Sequence, residues 1–224
     1  MLATKSKPFA EVGQLLSRDE KIFIIGCSEC ATTSRTGGEP EVLAMKERLE
    51  KEGKTVTGWV IIAPCISAQV IRVFAQKRGE ISAADGILVM ACGSGVQCVR
   101  ENERLGKRVH PALDTIFSAI VDRTGNIEER CSACGECVLG RSGVICPLTR
   151  CPKGLLNGPC GGTNHGKCEV DKEKDCAWTL IYQELNKLGD LSFMREIQPP
   201  KNYQVMTRPH RIGLEPPKGG AVKK

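Results

Sequence analysis

Between Cys131 and Cys176 the chain reads CSACGECVLGRSGVICPLTRCPKGLLNGPCGGTNHGKCEVDKEKDC, with cysteines at 131, 134, 137, 146, 151, 160, 168 and 176. No apolar periodicity runs through this stretch. Gly135, Gly140, Gly143, Gly154, Gly158, Gly161 and Gly162 suit a chain that bends often, and Pro147, Pro152 and Pro159 set φ beside Cys146, Cys151 and Cys160. Such a segment cannot build a core from its own side chains, so something else must hold it together. The opening C-x2-C-x2-C places three thiolates on one short, tightly turned loop, as the common bacterial cubane run also does.

Composition narrows what that something is. The chain has 224 residues, enough for one or two domains, and 13 cysteines. The N-terminus MLATKSKPFAEVG lacks an apolar h-region and no apolar run is long enough to span a bilayer, so the expectation is a cytoplasmic protein without a membrane span. In a reducing compartment so many cysteines are better explained by inorganic cofactors than by disulfides. The formal charge of +6 counts the thiols as neutral. A cubane held by four thiolates carries about −2, so three of them would bring the balance near zero, and the basic charge is weak evidence for a nucleic-acid partner.

Taken in order, the chain alternates strand and helix signals. Residues 1–20 read as an arm and a short helix, with Phe9, Val12, Leu15 and Leu16 on one face. KIFIIGC (21–27), TVTGWVIIAPC (55–65) and DGILVMAC (85–92) are buried-strand signals. EVLAMKERLEKEG (41–53), AQVIRVFAQKRG (68–79) and a charged stretch near 98–105 are helical signals. Pro111 is expected to open a further helix with Leu113, Ile116, Phe117 and Ile120 inward. The fold class expected is α/β: a small parallel sheet with flanking helices, then a loop-rich iron–sulfur module and an extended C-terminal tail.

Open parallel sheets bind ligands beyond the carboxyl ends of their strands. Cys27, Cys65 and Cys92 each fall at or just past such an end, with Cys30 and Cys98 a few residues further. Five cysteines distant in sequence are thus expected to converge at one rim. The competing accounts are ordinary buried cysteines and, for CSEC (27–30), a thioredoxin-like pair, which needs a helix at its first cysteine where Thr32–Gly38 reads as loop.

Beyond the cysteine-rich stretch, AWTLIYQELNKLG (177–189) carries an apolar stripe of Leu180, Ile181, Leu185 and Leu188. From 191 the pattern dissolves into a proline-rich segment. The domains expected are 1–124, an α/β domain with a cluster at its strand ends; 125–190, the cysteine-rich domain; and 191–224, an extended or disordered partner-binding tail. Cysteine-only sites hold iron–sulfur clusters or, as the alternative, zinc. Cys131, Cys134 and Cys137 belong to one centre. With Cys176 as its fourth ligand, Cys146, Cys151, Cys160 and Cys168 make a second, although a ferredoxin-like exchange between the two is equally open. A third centre would take four of Cys27, Cys30, Cys65, Cys92 and Cys98. His165 reads as a loop residue. No Gly-rich dinucleotide loop follows the first strand signal, no paired carboxylates or Ser-His-Asp arrangement stands out, and no catalytic residue is assigned.

The segment from CSACGEC through CPLTRCPKGLLNGPCGG to GKCEV resembles the cysteine-rich domain of the MetV-type small subunit of methylenetetrahydrofolate reductase, and CPKGLLNGPCGG is its specific element. The resemblance covers roughly residues 20–200. The N-terminal half is also similar to the small electron-transfer subunit that links hydrogenase to heterodisulfide reductase, on Cys27 and Cys30, Cys65, and Cys92 and Cys98. These resemblances imply two or three iron–sulfur clusters, mostly [4Fe-4S], with [2Fe–2S] the alternative at the N-terminal rim. They imply a MetF-type large subunit as partner, a TIM barrel that alone carries FMN and reduces methylene- to methyl-tetrahydrofolate in the Wood–Ljungdahl pathway. They leave room for a further electron-donating subunit. The expected function is electron transfer to that flavin within the oxidoreductase complex. The alternative is a metal-stabilised scaffold that docks to the large subunit without carrying electrons.

Overall fold

In the computed structural model, which describes residues 1–213, strand β1 (Leu2–Ser6) leads through helix α1 (Phe9–Leu15) into β2 (Lys21–Cys27). The next elements are α2 (Cys30–Thr33), α3 (Glu39–Lys51), β3 (Thr55–Ile62), α4 (Ser67–Gln76), α5 (Arg78–Ala83), β4 (Gly86–Met90) and α6 (Gly93–Asn102). Strands β5 (Arg108–Pro111), β6 (Leu113–Val121) and β7 (Ile127–Cys131) follow, and then the short α7 (Pro147–Arg150) and the longer α8 (Ala177–Leu188). The chain divides into two units, Met1–Cys131 and Ser132 onward.

The first unit holds two sheets. One is fully parallel, in the order β3-β2-β4-β5; the other is antiparallel, in the order β1-β6-β7. Strands β2 and β4 are central, and Ile22, Phe23, Ile24, Ile25, Ile87, Leu88 and Val89 are wholly buried. Strands covered on both faces read as continuous aliphatic runs, as these do. Each such side chain contributes about 1.5–3 kcal/mol on burial. Helix α3 shows how the flanking layer begins: Glu41 accepts the Gly38 N–H at 2.9 Å, Pro40 sits in the first turn, and Glu39 and Glu41 suit the positive end of the helix dipole.

Four expectations change here. The architecture is α/β with mixed parallel and antiparallel sheets and flanking helices, and the second unit is not a distinct iron–sulfur loop module. The helix expected after Pro111 is strand β6, in which Leu113 and Ala119 are buried while Ile116 and Ile120 are about half exposed. Pairing with β1 on one side and β7 on the other decided the backbone; the 3–4 spacing of the aliphatic residues did not. Helix α6 also starts earlier than expected, directly after Cys92, and α2 occupies part of the stretch read as loop after Cys30.

The second unit has one small core. Cys176, Trp178, Ile181 and Leu185 are buried along one face of α8, and Ile145, Leu155, Leu191, Phe193 and Met194 pack against them. Gly189, at φ 80°, ends α8 in the left-handed conformation that a side chain would disfavour. Around this core the chain makes isolated bridges (Asn164 to Lys167, Lys167 to Asp175) and short 3-10 turns at Leu139–Arg141, Leu191–Arg195 and Tyr203–Met206. The described part of the C-terminal segment is pinned to this unit. Gln198 and Asn157 exchange two hydrogen bonds, at 2.6 and 3.0 Å, and Lys201 donates to the carbonyl of Glu136. Residues 214–224 of the expected tail lie outside the described residues. Among the described residues, no helix is long and apolar enough to cross a membrane.

Candidate functional site

The parallel sheet brings four of its cysteines to one rim. Cys27 is the last residue of β2, Cys30 opens α2, Cys65 lies between β3 and α4, and Cys92 caps the amino end of α6 just past β4. Partial desolvation first, and then the charges of Cys92, Cys27 and Cys30, push the Cys65 thiol above its ordinary pKa. Cys27 and Cys92 are buried, whereas Cys65 is exposed. The loop after α2 closes this rim from the side. Cys27 donates its N–H to the Gly37 carbonyl at 2.8 Å, and a Cβ on Gly37 would run into the carbonyl oxygen of Met90. Only glycine permits that approach. Cys98 sits further along α6, where its neighbours differ. Burial and Glu101 raise its pKa, and Asn102 Nδ2 stands 3.7 Å from its sulfur.

In the second unit the structure sorts the cysteines into two neighbourhoods. Cys131 ends β7 and belongs to the first unit, whereas Cys134 and Cys137 lie on the first loop of the second. Burial opposes ionisation of Cys134, but hydrogen bonding to the Glu136 backbone, to Lys201 and to Ser132, with the charge of Lys201, outweighs it and lowers the pKa. The other neighbourhood is a small cavity lined by Cys151, Cys160, Cys168 and Cys176, together with Trp178 and Lys153. Cys176 therefore stands with Cys151, Cys160 and Cys168, the place expected for Cys146. Cys146 instead caps the amino end of α7 and Cys151 its carboxyl end. At Cys176 burial again opposes ionisation. Hydrogen bonds from the backbone and hydroxyl of Thr179, the hydroxyl of Thr163 and the backbone of Trp178 together lower its pKa. His165 is an exposed loop residue with φ 47°.

The metal expectations are corrected at this point. Among the described residues, no group of three or more His, Cys, Asp or Glu side chains could hold a metal ion. None of the thirteen cysteines is joined in a disulfide. Several sulfurs turn to partners of their own: Cys30 accepts the Leu2 N–H at 3.4 Å, Cys98 faces Asn102, Cys134 donates to the Glu136 carbonyl at 3.6 Å, and Cys176 is held by threonines. The expected iron–sulfur clusters are not supported, nor is zinc as their alternative. The electron-conduit function and the metal-held scaffold built on them fall with them.

Sequence reasoning missed Lys201. It is buried although it is a lysine, and it reaches from the C-terminal segment to the Cys134 loop, where Asn202 also donates to Glu136 at 3.0 Å. Its signal in the sequence was slight, a basic residue after a Pro-Pro pair. The second unit also exposes large apolar side chains, including Val144 (75%), Ile197 (86%) and Tyr203 (60%).

Residues 110–204 match a family model described as methylene-tetrahydrofolate reductase C terminal, a span of less than half of the 224-residue chain. No curated protein and no solved structure matches the chain.

Proposed function

We propose that residues 110–204 are a docking segment for the flavin-bearing large subunit of a methylenetetrahydrofolate reductase. The observation that carries this reading is the match of that span to the methylene-tetrahydrofolate reductase C-terminal family. The surface chemistry supports it. Val144, Val170, Tyr182, Leu188, Ile197 and Tyr203 all lie within the matched span and are exposed, and stranded aliphatic and aromatic side chains of this kind are what protein interfaces bury. The large subunit then supplies the flavin and the reaction on the folate, and this chain supplies contact area and order. No metal centre enters the proposal.

The test is co-expression with a MetF-type large subunit, followed by size-exclusion chromatography and calorimetry. A stable complex is expected, and Ile197→Asp with Tyr203→Asp should weaken it by about tenfold or more, since central apolar anchors cost roughly 2 kcal/mol or more when lost. Failure of the wild-type chain to form any complex sinks the proposal.

A further inference from the structure

A second concavity lies away from every cysteine site already described at the strand ends. It is an open groove of about 600 Å3 beside β5, the edge strand of the parallel sheet, lined by Arg100, Glu103, Arg104, Lys107, Arg108 and His110 with Gly106 and Val109 between them. Arg108 opens β5, Asp85 immediately precedes β4 and Asp19 lies two residues before β2, so the groove sits at the amino ends of the strands. The volume falls within the range of small-molecule sites.

The groove is built with its cations outward and its carboxylates inward. The Asp19 side chain is wholly buried; Arg108 donates to its Oδ1 from Nε at 2.7 Å and also from Nη2, and His110 Nε2 stands 2.7 Å from its Oδ2. Gly86 leaves room for this anchor, because a Cβ there would meet Asp19 Oδ2 at 2.7 Å. The Glu103 side chain is 1% exposed; it pairs with Arg100 at 3.2 Å and accepts the Leu105 N–H. The guanidinium side chains of Arg100 and Arg108, by contrast, are 64% and 51% exposed. Arg104 is held by the carbonyls of Glu101 and Glu103 at 2.6 and 2.9 Å, and Lys107 by the carbonyl of Ser82 at 2.7 Å. Lys107 also lies within electrostatic reach of Asp85, whose carboxylate accepts the N–H groups of Glu20 and Lys21 at 3.0 and 2.9 Å.

Buried carboxylates thus fix the arginine forks before any ligand arrives, and the donors left over point outward. Preorganised guanidinium forks suit phosphate oxygens, and a ligand meeting them avoids part of the ordering cost of binding. Glu103 and Asp19 balance Arg100 and Arg108, and the hydrogen bonds of Arg104 and Lys107 go only to carbonyls, so two positive charges are left along the groove, enough for more than one phosphate group. We propose that this groove binds a small oligophosphate, a molecule with two or more linked phosphate groups. No Phe, Tyr or Trp lines it, so nothing on its wall would stack the bases of a nucleic-acid strand.

The test uses the full chain and inorganic tripolyphosphate in calorimetric titration at fixed ionic strength. Saturable binding of one ligand is expected, and the double variant Arg104→Ala, Lys107→Ala should weaken it by about tenfold or more. These two positions are chosen because their loss leaves neither Asp19 nor Glu103 unpaired. Should the variant fold poorly, the wild-type chain still decides: tripolyphosphate should slow acetylation of the Lys107 amine, read by mass spectrometry, while sulfate at equal ionic strength should not. Absence of saturable binding, equal affinity in the variant, or binding of a short oligothymidylate without binding of tripolyphosphate would each overturn the proposal. Self-association of the variant with unchanged affinity would also overturn it, by assigning these charges to guarding the open edge of β5.

Discussion

The two units of this chain are held together by different physics. In the first, aliphatic strands fill a continuous core between helices, and the sheet hydrogen bonds come with it. In the second, one face of α8 supplies the buried cluster, and the rest is fastened by single polar ties such as Trp178 Nε1 to the Leu155 carbonyl at 3.0 Å, Asn157 to Gln198, and Lys167 to Asp175 at 2.7 Å. A small core over a long, turning chain gives little margin. The difference teaches that losses in the first unit should be shared among many neighbours, whereas in the second one side chain or one tie carries a large fraction of the local stability.

The hardest blow to this contrast is Trp178→Ala. It should cost about 3–5 kcal/mol and open the second unit to limited proteolysis, while amide protection in β2 and β4 persists. Loss of protection in both units together would erase the contrast. Asp19→Ala comes next. It removes charge-assisted hydrogen bonds to Arg108 and His110, and a loss of about 1.5–3 kcal/mol is expected in denaturant unfolding of the first unit. A null effect would mean that the core alone fixes the start of β5.

Smaller still is Lys201→Ala, at roughly 1 kcal/mol by hydrogen exchange of the residues around 198–206. The same change removes a hydrogen bond and a charge that favour the Cys134 thiolate, so the pKa of Cys134 should rise. The alkylation rate of Cys134 against pH reads this, and an unmoved profile would refute the assignment of Lys201. The smallest effect concerns the turn joining β6 and β7. The Thr124 hydroxyl and then the Asn126 backbone, with lesser bonds from the same residues, hold Asp122 at about 2. A depressed carboxylate favours the fold above its unfolded pKa, and that contribution is lost as pH falls through about 2. A carboxyl carbon titration by NMR should show this midpoint in the wild type and a return toward the usual aspartate range in Thr124→Val.

Much of the first unit was legible in the sequence because its strands are buried on both faces and therefore write themselves as aliphatic runs. The placement of Cys27, Cys65 and Cys92 near strand ends followed from those runs. LDTIFSAIV was illegible for the opposite reason: its aliphatic residues repeat at helical spacing, and pairing with β7 and with β1, more than a hundred residues away in sequence, makes it a strand. A separation of 89 and 91 residues from Arg108 and His110 likewise hides the Asp19 anchor from any local pattern. In the second unit spacing could count cysteines but not direct them. Cys176 joins Cys151, Cys160 and Cys168 because α8 folds back on the preceding loops, and the step from cysteine count to metal centre failed on the disposition of the side chains.

The chain contains two tryptophans, and each unit has one. Trp59 lies on β3, half-buried against the first core, and Trp178 is buried on α8 at the wall of the cavity lined by Cys151, Cys160, Cys168 and Cys176. Nature has thereby labelled each unit with its own fluorophore. With Trp59→Phe the emission reports on the second unit alone, and with Trp178→Phe on the first. Free thiols near Trp178 should quench it, so its lifetime will register chemical change at Cys151, Cys160, Cys168 or Cys176 while Trp59 emission stays constant.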